Sequence, residues 1–143
     1  MSKKDAKIER LIAECKRPDL DPHYEGYFAC FNRGLFFEAH DVLEHLWLRD
    51  KTSSDYSFHK GLIQLAGAFV HLQKHRLRPS LALFSLARNN LQKYPSPHMG
   101  LDLLCVLNLI ESWSTSLEDY GFTLNPLTYR ETPILLPSVL LPD

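Results

Sequence analysis

Three cysteines are too few and too scattered to build a scaffold. Cys15, Cys30 and Cys105 are odd in number and no two have metal-ligand spacing, so free thiols in a reducing cytosol are expected. An excess of one charge is also missing. The formal net charge of −1 supplies no basic field for a phosphate backbone, which excludes nucleic-acid binding as the main role. There is no long apolar run. The most apolar interior stretch, GLIQLAGAFVHL, has 12 residues and contains Gln and His, whereas a membrane-spanning helix needs about 20. The opening MSKKDAKIERLIAECKR has charges every few residues and no apolar block, so it is not expected to be a signal peptide. GxSxG and GxxxxGK motifs are absent, as is any convincing strand before the tail.

What is present is helical periodicity. At 143 residues the default is one domain, 1–143, and the pattern predicts a compact all-α bundle of five to six helices. Ile8, Leu11, Ile12 and Cys15 form a stripe over residues 5–15. RPDLDP breaks it, and Asp21 with Pro22 reads as a cap and first helical position. Gly34 offers a left-handed stop, and a third helix is predicted from about Leu35 to Leu48. Thr52 and Asp55 fit a capping box before the fourth helix, about 55–76. That helix is apolar over most of its circumference and belongs at the centre. Pro79 reads as the opening of a fifth helix, and a sixth is predicted from about Gly100 to Tyr120. The tail, about 122–143, is proline-rich and extended, yet carries Ile134, Leu135, Leu136, Val139, Leu140 and Leu141. It reads either as a strap on its own core or as a contact with a second copy in a homodimer.

The segment FNRGLFFEAHDVLEHLW, residues 31–47, places polar groups on an apolar face. On a helical wheel Phe36, Leu43 and Trp47 lie within about 40° of one another, His40 falls inside or beside that sector, and Glu44 flanks it. Glu38, Asp41 and His45 point elsewhere. On the fourth helix Gln64 and His71 share a face, with Gly67 between them allowing close approach. If the two faces oppose, His40, Glu44, Gln64 and His71 form one buried cluster. Unpaired burial costs a few kcal/mol per group, so these residues must satisfy one another or hold a ligand. Three arrangements remain open: an interhelical hydrogen-bond network, a divalent metal (zinc, manganese or iron) on His40, Glu44 and His71, or a metal-free acid–base site. In the last, His40, Glu44 and His71 are the catalytic candidates, and no reaction or enzyme class is read from them. HDVLEH is not a zinc-protease motif, because its histidines lie about 140° apart. The ferritin-type ExxH pair is absent. His23, His59, His75 and His98 are expected at the surface or in loops. Trp47, Trp113 and Tyr120 are read as packing residues.

The segments FNRGLFFEAHDVLEHLW, HKGLIQLAGAFVHLQKH and ALFSLARNNLQKYPSPHMGLD occur in that order. Together they resemble the prokaryotic family called domain of unknown function 309, over about residues 27–110. The resemblance implies a compact helical domain with Glu38, His40, Asp41, Glu44, Trp47, Gly61, Gln64 and His71 at motif positions. Position 41 is Asp where the family commonly has Glu. Position 60 is Lys where Gln is common, which would bring a cation to the cluster's edge. No activity comes with the resemblance.

The resulting expectation is a small cytosolic helical protein with a metal- or small-molecule-binding site between the third and fourth helices. His40, Glu44 and His71 serve as ligands or bases, Gln64 as an orienting donor, and Trp47, Asp41, Glu38 and Lys60 as further binding residues. The alternative is a helical protein–protein interaction module with a purely structural polar core. Its helix pairs suggest tetratricopeptide-like repeats, but Ala39 and Ala82 are 43 apart rather than 34.

Overall fold

A computed structural model describes residues 3–141. Among them are six helices: α1 (Lys3–Leu11), α2 (Pro22–Phe31), α3 (Phe36–Trp47), α4 (Tyr56–Gln73), α5 (Leu77–Leu91) and α6 (Leu103–Asp119). No strand is present among the described residues, only an isolated bridge between His98 and Leu101. The all-α expectation holds, and no described helix is long and apolar enough to cross a membrane.

Local chemistry sets most helix ends. The Asp21 carboxylate accepts from the His23 N–H at 2.8 Å, and Pro22 follows it, so the predicted cap forms. Gly34 and Gly121 take positive φ after α2 and α6, where a side chain would be strained. Several boundaries differ from the sequence reading. α1 runs from Lys3 to Leu11 rather than over residues 5–15. Asp50, not Thr52, organises the turn before α4, accepting from both the Thr52 N–H and its hydroxyl. α5 starts at Leu77, with Pro79 still within the first turn, where no intrahelical donor is needed. α6 starts at Leu103 because Asp102 caps it through the Cys105 N–H.

Phe69, near the end of α4, is the hub of the core. Its ring meets Phe36 at 4.8 Å, Trp113 at 4.9 Å, Phe84 at 5.3 Å and Phe31 at 5.8 Å between centroids. One side chain thus joins α2, α3, α5 and α6, which is why the most apolar helix sits centrally. At the other end of α4, a Cβ on Gly61 would lie 2.8 Å from Leu91. The missing side chain is what lets α5 approach so closely.

Several side chains lie elsewhere than expected. His23 and His59 are buried rather than superficial. Trp113 packs in the core, but Tyr120, at the end of α6, is 52% exposed. In the tail, Asn32 holds Leu135 through two hydrogen bonds. Its amide donates to Leu135 O at 2.8 Å, and its oxygen accepts from Leu135 N at 2.7 Å. Arg17 donates to Val139 O and Leu141 O. Leu135 is buried, while Ile134 and Leu136 face outward. Short 3-10 turns at Pro126–Thr128 and Ser138–Leu140 interrupt the extended course.

Candidate functional site

The helical stripe 64–67–71–74 defines the site. Gln64, Gly67, His71 and Lys74 recur at three- and four-residue steps, so they share one face at the C-terminal half of α4. Phe37 and His40 of α3 and Leu83 of α5 complete a groove of about 230 Å³ with them, and Ile63 and Val70 supply apolar wall. His40, Gln64 and His71 therefore do converge. They line an open groove between α3, α4 and α5, however, and not a closed interior: His40 and His71 are each only partly buried.

Gln64 and His40 are held by polar neighbours, and His71 is not. The Gln64 amide oxygen accepts from Asn90 of α5 at 2.7 Å, which leaves its N–H groups for the groove. His40 Nδ1 lies 3.1 Å from Asp41 Oδ1, and its Nε2 lies 3.5 Å from Glu44 Oε2. A hydrogen on Nδ1 has the Asp41 carboxylate to receive it, while the Glu44 contact is an ion pair only when the ring is protonated. The Phe37 and His40 rings stack at 6.3 Å. His71 Nδ1 is buried with no hydrogen-bond partner among the described residues. Burial, and then the charges of Arg76 and Lys74, hold the His71 pKa below its usual value, so its ring is neutral at neutral pH and keeps both a donor and an acceptor.

Glu44 flanks the groove but does not line it. Its Oε1 accepts from the Lys4 ammonium of α1 at 2.9 Å, and the same ammonium lies 4.0 Å from Asp41. The hydrogen bond to Glu44 is the main reason the Lys4 pKa is raised. Glu38 is likewise 3.9 Å from Lys7. Asp41 is buried rather than turned outward, because α1 covers that side of α3. The α3 carboxylates are thus matched by lysines of α1.

That arrangement does not fit the metal expected on His40, Glu44 and His71. Among the described residues no group of three or more His, Cys, Asp or Glu side chains is placed to hold a metal ion. Glu44 is engaged by an ammonium, and His71 lines the groove without a carboxylate beside it.

Lys60 and Trp47 belong to another region. Lys60 Nζ lies 6.0 Å from the Tyr56 ring, and Trp47 packs on that same ring at 5.0 Å. Tyr56 begins α4, whereas the groove follows its second half. The cation at the groove is Lys74, whose Nζ lies 6.0 Å from the Phe37 ring. Lys74, Phe37, Val70 and Leu83 were not among the predicted site residues. The spacing of Lys74 from Gln64 and His71 was the available signal for it.

A second polar cluster lies where α1, α2 and α3 meet. Asp21, His23, His45 and Asp5 form a chain of contacts at 2.9, 3.0 and 3.2 Å. Arg49 lies 3.4 Å from His23 Nε2. Burial lowers the His23 pKa, against the opposing pull of Asp21.

No curated protein and no solved structure shows a significant match to the chain. The family resemblance carried by the EAHD and GLIQ segments is borne out: residues 24–83, from Tyr24 in α2 to Leu83 in α5, match the family described as Domain of unknown function (DUF309).

Proposed function

We propose that this protein binds a small molecule in the groove between α3, α4 and α5. The observation that carries the reading is convergence. His40, Gln64 and His71, from two helices, meet on one apolar-walled groove, and His71 Nδ1 is buried there without a partner. A buried polar atom left unpaired costs about 1–3 kcal/mol, which a ligand group would recover. Apolar walls with a few convergent polar groups are the usual make-up of a ligand site. The volume, about 230 Å³, falls below the roughly 300–1,000 Å³ of drug-sized pockets, so the ligand is a small one.

A fragment screen on methyl-labelled protein tests this by NMR. Binding fragments should shift the methyl signals of Ile63, Val70 and Leu83 together, and His71→Ala should weaken them. Fragments that leave those three signals in place while shifting others would defeat the reading. Capture of a helical partner protein on the same face, with no fragment binding, would instead favour an interaction module.

A further inference from the structure

Resting on the reading of the groove as a small-molecule site, we infer that its ligand is an organic anion: a short carboxylic acid with an aliphatic body. The lining carries the selectivity. It includes Lys74, His40, His71 and Gln64 but no Asp or Glu. Lys74 reaches from just beyond α4 toward Phe37 of α3, and Lys7 of α1 lies over the same ring at 5.3 Å. Both ammonium groups flank the aromatic rim, Lys7 also lying 3.9 Å from Glu38. The carboxylates beside the rim are matched by lysines of α1, Asp41 and Glu44 by Lys4 and Glu38 by Lys7, so they contribute little repulsion at the groove.

The end of α4 does not oppose an anion as a bare helix C-terminus would. The carbonyls of Val70 and His71 accept from Lys74 N, and His71 O also accepts from Arg76 N. Leu72 O accepts from His75 N and from the Asn125 amide. Those oxygens are engaged, and the charges of Arg76 and Lys74 add to burial in lowering the His71 pKa. Ile63, Val70 and Leu83 offer nothing to hydrogen-bond, so the remainder of the ligand is hydrocarbon. A carboxylate can accept from Lys74, from the free amide hydrogens of Gln64 and from the neutral His71 ring.

The test compares three probes of equal length, hexanoate, hexan-1-ol and hexylamine, titrated into the full chain and followed at the Ile63, Val70 and Leu83 methyls. Hexanoate should bind about two- to fivefold more tightly than either competitor, the range expected of a partly exposed charge contact. Lys74→Gln should weaken hexanoate binding by more than it changes hexan-1-ol binding, and so remove that preference. The His71 pKa should rise on hexanoate binding, since the added negative charge opposes Arg76 and Lys74. Equal binding of hexan-1-ol, or tighter binding of hexylamine, overturns the anion assignment while leaving the groove a binding site. No response of the groove methyls to any of the three overturns both.

Discussion

His23 and His45 meet nitrogen to nitrogen at 3.0 Å, each backed by a carboxylate, Asp21 on one side and Asp5 on the other. The chain of contacts ties the cap of α2 to α3 and then to α1. α1 buries only Ile8 completely, so its attachment rests heavily on this contact and on Lys4 and Lys7. We expect His45→Ala to raise amide exchange across residues 3–11 with a global stability loss below about 1 kcal/mol, since exposed charge contacts are weak. Unchanged exchange in α1 would show that Ile8 alone holds the helix.

Acid should destabilise the fold. Burial lowers the pKa of His59, and also those of His23 and His71. A histidine whose folded pKa lies below the unfolded value of about 6.5 binds more protons when unfolded. Its stabilising contribution is complete above that value and is lost as pH falls toward the folded pKa. Urea midpoints should therefore drop between about pH 7.5 and about pH 5.5, and His59→Gln should reduce the drop. A midpoint that rises on acidification would contradict this account.

Asn32 is the anchor of the tail at Leu135. Asn32 both donates to and accepts from the backbone of Leu135, as a neighbouring strand would. Asn32→Ala should cost about 1–3 kcal/mol, because Leu135 is buried and its backbone groups lose their partner. Limited proteolysis should then cut after residue 130 more readily than in the parent. Asn32→Asp keeps the acceptor but loses the donor, and should fall between the two.

Gly61 should not tolerate a methyl group. Its added Cβ would sit 2.8 Å from Leu91 and 3.2 Å from Asn90 Cβ. Leu91 is fully buried. We expect Gly61→Ala to cost about 1–3 kcal/mol through overpacking, despite the better helix propensity of alanine. A stabilised variant, judged by urea denaturation, would mean α5 shifts freely against α4.

Much of this structure was legible in residue spacing. The 3.6-residue period located the helices, and Asp21–Pro22 and Gly34 marked ends because their backbone chemistry is local. The site was half legible for the same reason: Gln64 and His71 share a stripe that can be counted. What the period could not give was which helix covers which face. Asp41 points away from the apolar sector of its own helix and is buried because α1 lies over it. His59 shares a stripe with Leu62 and Ala66, a signal that was present, but its burial against Tyr24 and Phe58 comes from the packing of α2. Glu44 looked like a ligand until Lys4, forty residues earlier, was found on it. Non-local partners of this kind leave no trace in periodicity.

The most direct test of the groove is a crystal structure of the full chain grown with hexanoate. The account predicts the hydrocarbon between Ile63, Val70 and Leu83, with the carboxylate within hydrogen-bonding distance of Lys74. Hexanoate bound elsewhere, with the groove filled by its own side chains, would contradict it.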